Sequence, residues 1–98
     1  EYFQALLRGG IEDVESLEAL FSPLLDRALD DLDPIERNLL RMGTFELKER
    51  IDVPYKVVIN EAVSLAKKFG ATESHRYING ILDKVASELR TVERAKED

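Results

Sequence analysis

Apolar residues recur along this chain at intervals of three, four and seven, the spacing that gathers them on one side of a helix. Between Tyr2 and Phe21 the stripe is Phe3, Leu6, Leu7, Val14, Leu17 and Phe21, broken at Gly9-Gly10, where paired glycines weaken a helix. Ser22-Pro23 has the form of an N-cap followed by proline at the first helical position and predicts a short helix through Leu29. Asp33-Pro34 repeats the signal, with Glu36 three residues after Asp33 as in a capping box. The helix it opens takes Ile35, Leu39, Leu40, Met42 and Leu47 as its apolar side. Asp52-Val53-Pro54 opens another, because proline disfavours helix at the residue before it and is tolerated in the first turn. Its core face is Val58, Ala62, Leu65, Ala66 and Phe69, and Gly70 ends it as a left-handed cap. Thr72 caps a last helix whose core face is Ile78, Ile81, Leu82, Val85 and Leu89. From Thr91 to Asp98 only Val92 and Ala95 are apolar, so this stretch is expected to fray. The pattern predicts an all-α domain of about five helices over residues 1–90, followed by a charged tail over 91–98.

Composition narrows the function classes. At 98 residues the chain is at most one domain, near the low end of what folds alone. It has no Cys and one His, so no disulfide, no Cys-ligated metal and no His-rich metal site can form, and a reducing cytoplasm fits. No apolar run approaches the ~20 residues of a membrane span. No cofactor is expected. Charge is uneven. Residues 1–52 carry 6 Lys/Arg against 13 Asp/Glu, a net of −7; residues 53–86 carry 5 against 3, a net of +2; residues 87–98 carry 3 against 4, a net of −1. The acidic half suits a basic protein partner, and the mildly basic segment suits phosphate. The overall charge of −6 argues against strong RNA binding by this stretch alone.

The best surface site is Thr72 to Tyr77. A helix start presents unpaired N–H groups to an anion, Arg76 adds a cation able to pair bidentately with phosphate, and Tyr77 offers a ring for stacking an unpaired base. At about 100° per residue Tyr77 falls at the edge of the apolar face, in line with Glu73, Gly80 and Lys84. The plain alternative is a set of solvated cap residues with a core-edge tyrosine. Lys67-Lys68 reads as a solvated helix face, whereas Lys56, unfavourably placed at a helix start, has a better case for an outside partner. Asn60, Asn79 and Gly80 are poor helix formers inside helices and read as sites of interhelical hydrogen bonding and close packing. No catalytic constellation is present: Glu73, Ser74 and His75 contain triad residue types, but consecutive helical positions point in different directions. The expected protein is not an enzyme.

The series Val53 to Val57 (VPYKV), Ile59 to Ala62 (INEA), Ala66 to Gly70 (AKKFG) and Asn79 to Lys84 (NGILDK) closely resembles the NusB transcription antitermination factors, in register over about thirty residues and more weakly back through Asp33 to Leu47 and to Tyr2-Phe3. The resemblance implies a NusB-like helical bundle acting as a non-enzymatic adaptor in the cytoplasm. Its partners would be boxA RNA, the basic small-subunit ribosomal protein NusE, and the RNA polymerase antitermination complex that reads through terminators during ribosomal RNA synthesis. It places Glu73, Ser74, His75, Arg76 and Tyr77 against RNA. Family relatives often have Lys and Phe where this chain has Arg76 and Tyr77, changes that keep the charge and the ring. It places Glu36 and Arg41 near the protein partner, with Asp30 and Asp31 in the same acidic cluster. It also implies an arginine-rich segment and further helices ahead of Glu1, whose loss would leave apolar surface open to an exposed groove or a homodimer.

Two rivals come from other classes. A NusB-like domain stands at the front of some RNA cytosine methyltransferases, which would require a catalytic domain to follow. A helical module that dimerises and binds no RNA fits the net charge but leaves Arg76 and Tyr77 unexplained.

Overall fold

The computed structural model describes residues 14–69 and 74–95, except the side chain of residue 94. Among them the chain forms five α-helices and no strand: α1 Val14–Phe21, α2 Pro34–Glu49, α3 Tyr55–Lys68, α4 His75–Leu89 and α5 Thr91–Ala95. The all-α expectation holds. Helices α2, α3 and α4 pack against one another, α1 lies against α2 and α4, and α5 follows α4 after Arg90. The stripe residues Phe3, Leu6 and Leu7, and the caps at Gly70 and Thr72, lie outside the described residues.

Helix α2 begins as its sequence dictates. The Asp33 carboxylate accepts from the Ile35 N–H at 2.7 Å, and the Glu36 carboxylate accepts from the Asp33 N–H at 3.0 Å, so two orphan donors of the first turn are satisfied. Leu39, Leu40 and Leu47 are buried; Ile35 and Met42 sit at the core's margin. Val58, Ala62 and Ala66 of α3 and Ile78, Ile81, Leu82 and Val85 of α4 complete the core with Leu17 and Phe21 of α1. Fully burying a Leu-sized side chain contributes about 1.5–3 kcal/mol, so these positions dominate the stability.

Gly43 permits a close crossing. A Cβ at that position would stand 2.7 and 2.8 Å from Leu82 Cδ1 and Cδ2, so α2 meets α4 with hydrogen where a methyl would otherwise project. Gly80, by contrast, is exposed, and nothing lies within 4 Å of the place a Cβ would occupy. Asn60 and Asn79 are exposed too. The expectation of interhelical packing at these three residues is therefore corrected: they lie on the outer faces of α3 and α4, and the close packing is at Gly43.

Three further segments differ from the sequence reading. The stretch after Ser22 does not form one helix to Leu29; it makes two 3₁₀ turns, Ser22–Leu24 and Leu29–Asp31, with Leu25 and Ala28 extended. Ser22 does not cap, and Leu24, Leu25 and Leu29 instead pack against the core, which an irregular path allows from non-helical spacings. Phe69, expected in the core, is 59% exposed at the C-terminal end of α3, where its backbone N–H closes the last turn onto Leu65. Residues 91–95 of the expected tail are helical.

The reason for that last helix is Arg90. Its side chain is 3% exposed. It donates to the carbonyls of Glu46 (3.2 Å), Leu47 (2.8 Å), Arg50 (2.9 Å) and Val53 (2.9 Å), and to Glu93 at 2.6 Å. These carbonyls belong to the last turn of α2 and the bend after it, where helices leave acceptors unpaired. Glu93 also accepts from the Tyr55 N–H at 2.9 Å, at the start of α3. One arginine and one glutamate thus join the end of α2, the start of α3 and the C-terminal helix.

Candidate nucleic-acid interface

Helix α4 starts at His75 after Ser74, and its first turn is closed by the Ile78 N–H on the Ser74 carbonyl at 3.0 Å, with no side-chain cap at Ser74. Four residues expected to form the site are thereby brought together. Ser74 and His75 are half-buried, Arg76 is exposed, and Tyr77 is half-buried with its ring against the core. Glu73 lies outside the described residues. The placement of Tyr77 at the margin of the apolar face agrees with its helical register.

A second segment enters the site from far away in sequence. The Tyr77 hydroxyl donates to Asp26 Oδ1 at 3.0 Å, and the Asp26 N–H donates to the Tyr77 oxygen at 3.4 Å. Arg27 Nε donates to the same Asp26 oxygen at 2.8 Å, and its guanidinium lies 4.4 Å from the centre of the Tyr77 ring, within cation–π range. The Arg27 guanidinium, and after it the Tyr77 hydroxyl, hold the Asp26 carboxyl below the ordinary carboxylate range, so it is ionised at neutral pH. Partial burial pushes the Tyr77 phenol up, which keeps the hydroxyl protonated and able to donate. Sequence reasoning missed Asp26 and Arg27. Neither lies in a motif, and both belong to the acidic half of the chain.

The acidic cluster is less uniform than its sequence. Asp30 and Asp31 are exposed on the second 3₁₀ turn, and Asp30 is loosely paired with Arg37 at 3.4 Å. Glu36 is buried, with its carboxylate engaged in the α2 cap. Arg41 turns inward: with Arg37 it clamps Glu18 of α1, at 2.7 and 2.8 Å through the two Nε atoms. Hydrogen bonding from Arg37 outweighs burial and, with Arg41, holds the Glu18 carboxyl below its usual range. Of the four residues expected to meet a protein partner, Asp30 and Asp31 therefore present the exposed carboxylates. Lys56, Lys67 and Lys68 are exposed along α3.

Among the described residues there is no group of three or more His, Asp or Glu that could hold a metal ion, and no helix long and apolar enough to cross a membrane.

Together these features describe an all-helical chain among the described residues. The family model for the NusB family matches residues 1–87, and the chain belongs to that family. It is 56% identical over 94 residues to the transcription antitermination protein NusB of Marinomonas sp. (strain MWYL1), an overlap covering 96% of this chain and 54% of that protein. It is 54% identical over 95 residues to the transcription antitermination protein NusB of Hahella chejuensis, covering 97% and 64%. Against the protein of the same name from Haemophilus influenzae (strain PittGG) the identity is 57% over 88 residues, covering 90% and 61%. The chain thus spans about 54–64% of the length of these curated relatives.

Proposed function

We propose that this chain is part of a transcription antitermination factor, a non-enzymatic adaptor in the cytoplasm that binds boxA RNA together with the ribosomal protein NusE. It would hold that RNA on the transcribing polymerase so that terminators are read through, notably in ribosomal RNA synthesis. The observation that carries this reading is the start of α4: an exposed Arg76 beside a half-buried Tyr77 ring, at a helix end with no side-chain cap. Single-stranded RNA is gripped through such rings and cations. The name shared by the relatives supports the antitermination role.

Asp30 and Asp31 are the exposed carboxylates offered to the basic partner. Glu36 contributes less directly, since reversing its charge would first break the α2 cap. Because the net charge of −6 opposes RNA, RNA affinity depends on the partner and on basic residues outside this stretch.

The test is binding of a boxA-containing RNA and a scrambled RNA of equal length to the whole protein, with and without NusE, across a salt series. Preference for boxA in the presence of NusE, weakened by Tyr77→Ala, is expected. NusE binding without RNA preference would keep the partner and remove the RNA site. Binding of neither would leave a helical module without this role.

A further inference from the structure

The fold moves one arginine across a boundary of charge. Residues 1–52 are strongly acidic, yet Arg27 of that half stands over the ring of Tyr77 in the mildly basic half. Three facts define its state. The side chain is 42% exposed although it is stacked. Its Nε is the nitrogen bonded to Asp26, and its two terminal nitrogens bond to no described residue. Asp26 is itself fixed by two bonds to the Tyr77 hydroxyl group, so the guanidinium is oriented from both sides.

An arginine serving only as a pin would turn its fork onto the protein, as Arg90 does with five bonds. Arg27 keeps the fork open. Guanidinium planes stack on unpaired bases as aromatic rings do, and the terminal N–H pair matches the spacing of phosphate oxygens. Tyr77 is half-buried, and one of its faces already carries the guanidinium. A base reaching this site therefore meets the arginine together with the ring.

We propose that Arg27 is a direct RNA contact: it extends the Tyr77 stacking platform by one layer and offers its terminal nitrogens to a flanking phosphate of single-stranded RNA. This rests on the RNA-binding reading above and adds a residue from a distant segment to it. Asp26 is the positioning residue. Its carboxylate orients the guanidinium and, being exposed, also weakens the local attraction for phosphate.

The experiment measures binding of the boxA-containing single-stranded RNA to the whole protein with NusE, as a function of salt, for Arg27→Ala, Arg27→Lys, Asp26→Asn and Tyr77→Ala. Arg27→Ala is expected to weaken binding about three- to tenfold and to lower the salt slope by about 1, as loss of one phosphate contact does. Arg27→Lys keeps the charge but not the plane, so it should retain the slope and recover only part of the affinity. Asp26→Asn should tighten binding. Thermal melts serve as the control for a structural role, because a pin would lower the melting temperature and leave the slope alone. Wild-type affinity and slope in Arg27→Ala, with Tyr77→Ala still weakened, would overturn the proposal and leave the RNA site standing. If wild type itself prefers no RNA, the functional reading falls and this proposal with it.

Discussion

Tyr77 and Asp26 are bonded twice across 51 residues of chain, hydroxyl to carboxylate at 3.0 Å and backbone N–H to hydroxyl oxygen at 3.4 Å. The pair ties the irregular segment after α1 to the start of α4. Tyr77→Phe removes both bonds and keeps the ring. Its cost in stability should be about 0.5–1 kcal/mol, since a hydrogen bond in reach of water contributes little net, and its effect on RNA affinity should be small. Tyr77→Ala should weaken RNA binding by about 1–3 kcal/mol, the usual worth of one stacked base. Urea unfolding and RNA titration of the two variants separate these effects. Equal loss of RNA affinity in both would show that the hydroxyl, not the ring, makes the contact.

Two glycines in helices should respond to alanine in opposite directions. Gly43→Ala places a methyl 2.7 Å from a fully buried Leu82, and overpacking of this type costs about 1–3 kcal/mol. Gly80→Ala meets open space on an exposed helical surface and should stabilise by about 0.5–1 kcal/mol through the gain in helix propensity. Thermal unfolding gives both signs. If Leu82→Ala is combined with Gly43→Ala, the penalty for the added methyl should shrink, because its neighbour has been removed.

Arg90→Ala should be the most damaging single change outside the apolar core. It strips partners from four backbone carbonyls and from Glu93; a buried acceptor left unpaired costs about 1–3 kcal/mol, so the total should reach several kcal/mol. Against a total stability of about 5–15 kcal/mol for ordinary domains, that is a large share, and the melting temperature should fall well below that of wild type. Arg90→Lys cannot reach all the acceptors with one compact ammonium and should fall between the two. A circular-dichroism melt of Arg90→Ala matching wild type would contradict the role assigned to this residue.

Acid should weaken the contact between α1 and α2. The folded state depresses the Glu18 carboxyl, through Arg37 first and Arg41 after it. A depressed carboxyl contributes stability that is present above its unfolded pKa and is lost as pH falls through the folded one. Wild type should therefore exceed Glu18→Gln in stability at neutral pH, and the gap should close below the ordinary carboxylate range. Equal stability of the two proteins at pH 7 would remove the clamp from the account.

What could be read in the sequence was local. The α2 cap needs only Asp33, Pro34 and Glu36, three neighbours whose chemistry suffices; the α4 register likewise put Tyr77 at the core's margin. What escaped was set by distant partners. Ser22-Pro23 looked like a helix start, but Leu24, Leu25 and Leu29 find more of the core along an irregular path. Arg27 had no motif and gained a role only when Tyr77 arrived beneath it. Asn60, Asn79 and Gly80 looked internal because poor helix formers inside helices suggest packing, yet all three face outward, so nothing in this chain's own packing explains them.

The Arg90 junction also sets how the domain comes apart. Arg90 and Glu93 together stitch the end of one helix to the start of the next from a segment 40 or so residues away. Fraying that reaches Arg90 from the C-terminal side therefore releases the bend between α2 and α3 at the same moment. The amides of that bend should exchange with solvent together with those of residues 90–93, as one opening unit rather than two. Sequence distance along the chain and order of opening are thus decoupled: the final turn of α4 and the middle of the chain behave as neighbours in time.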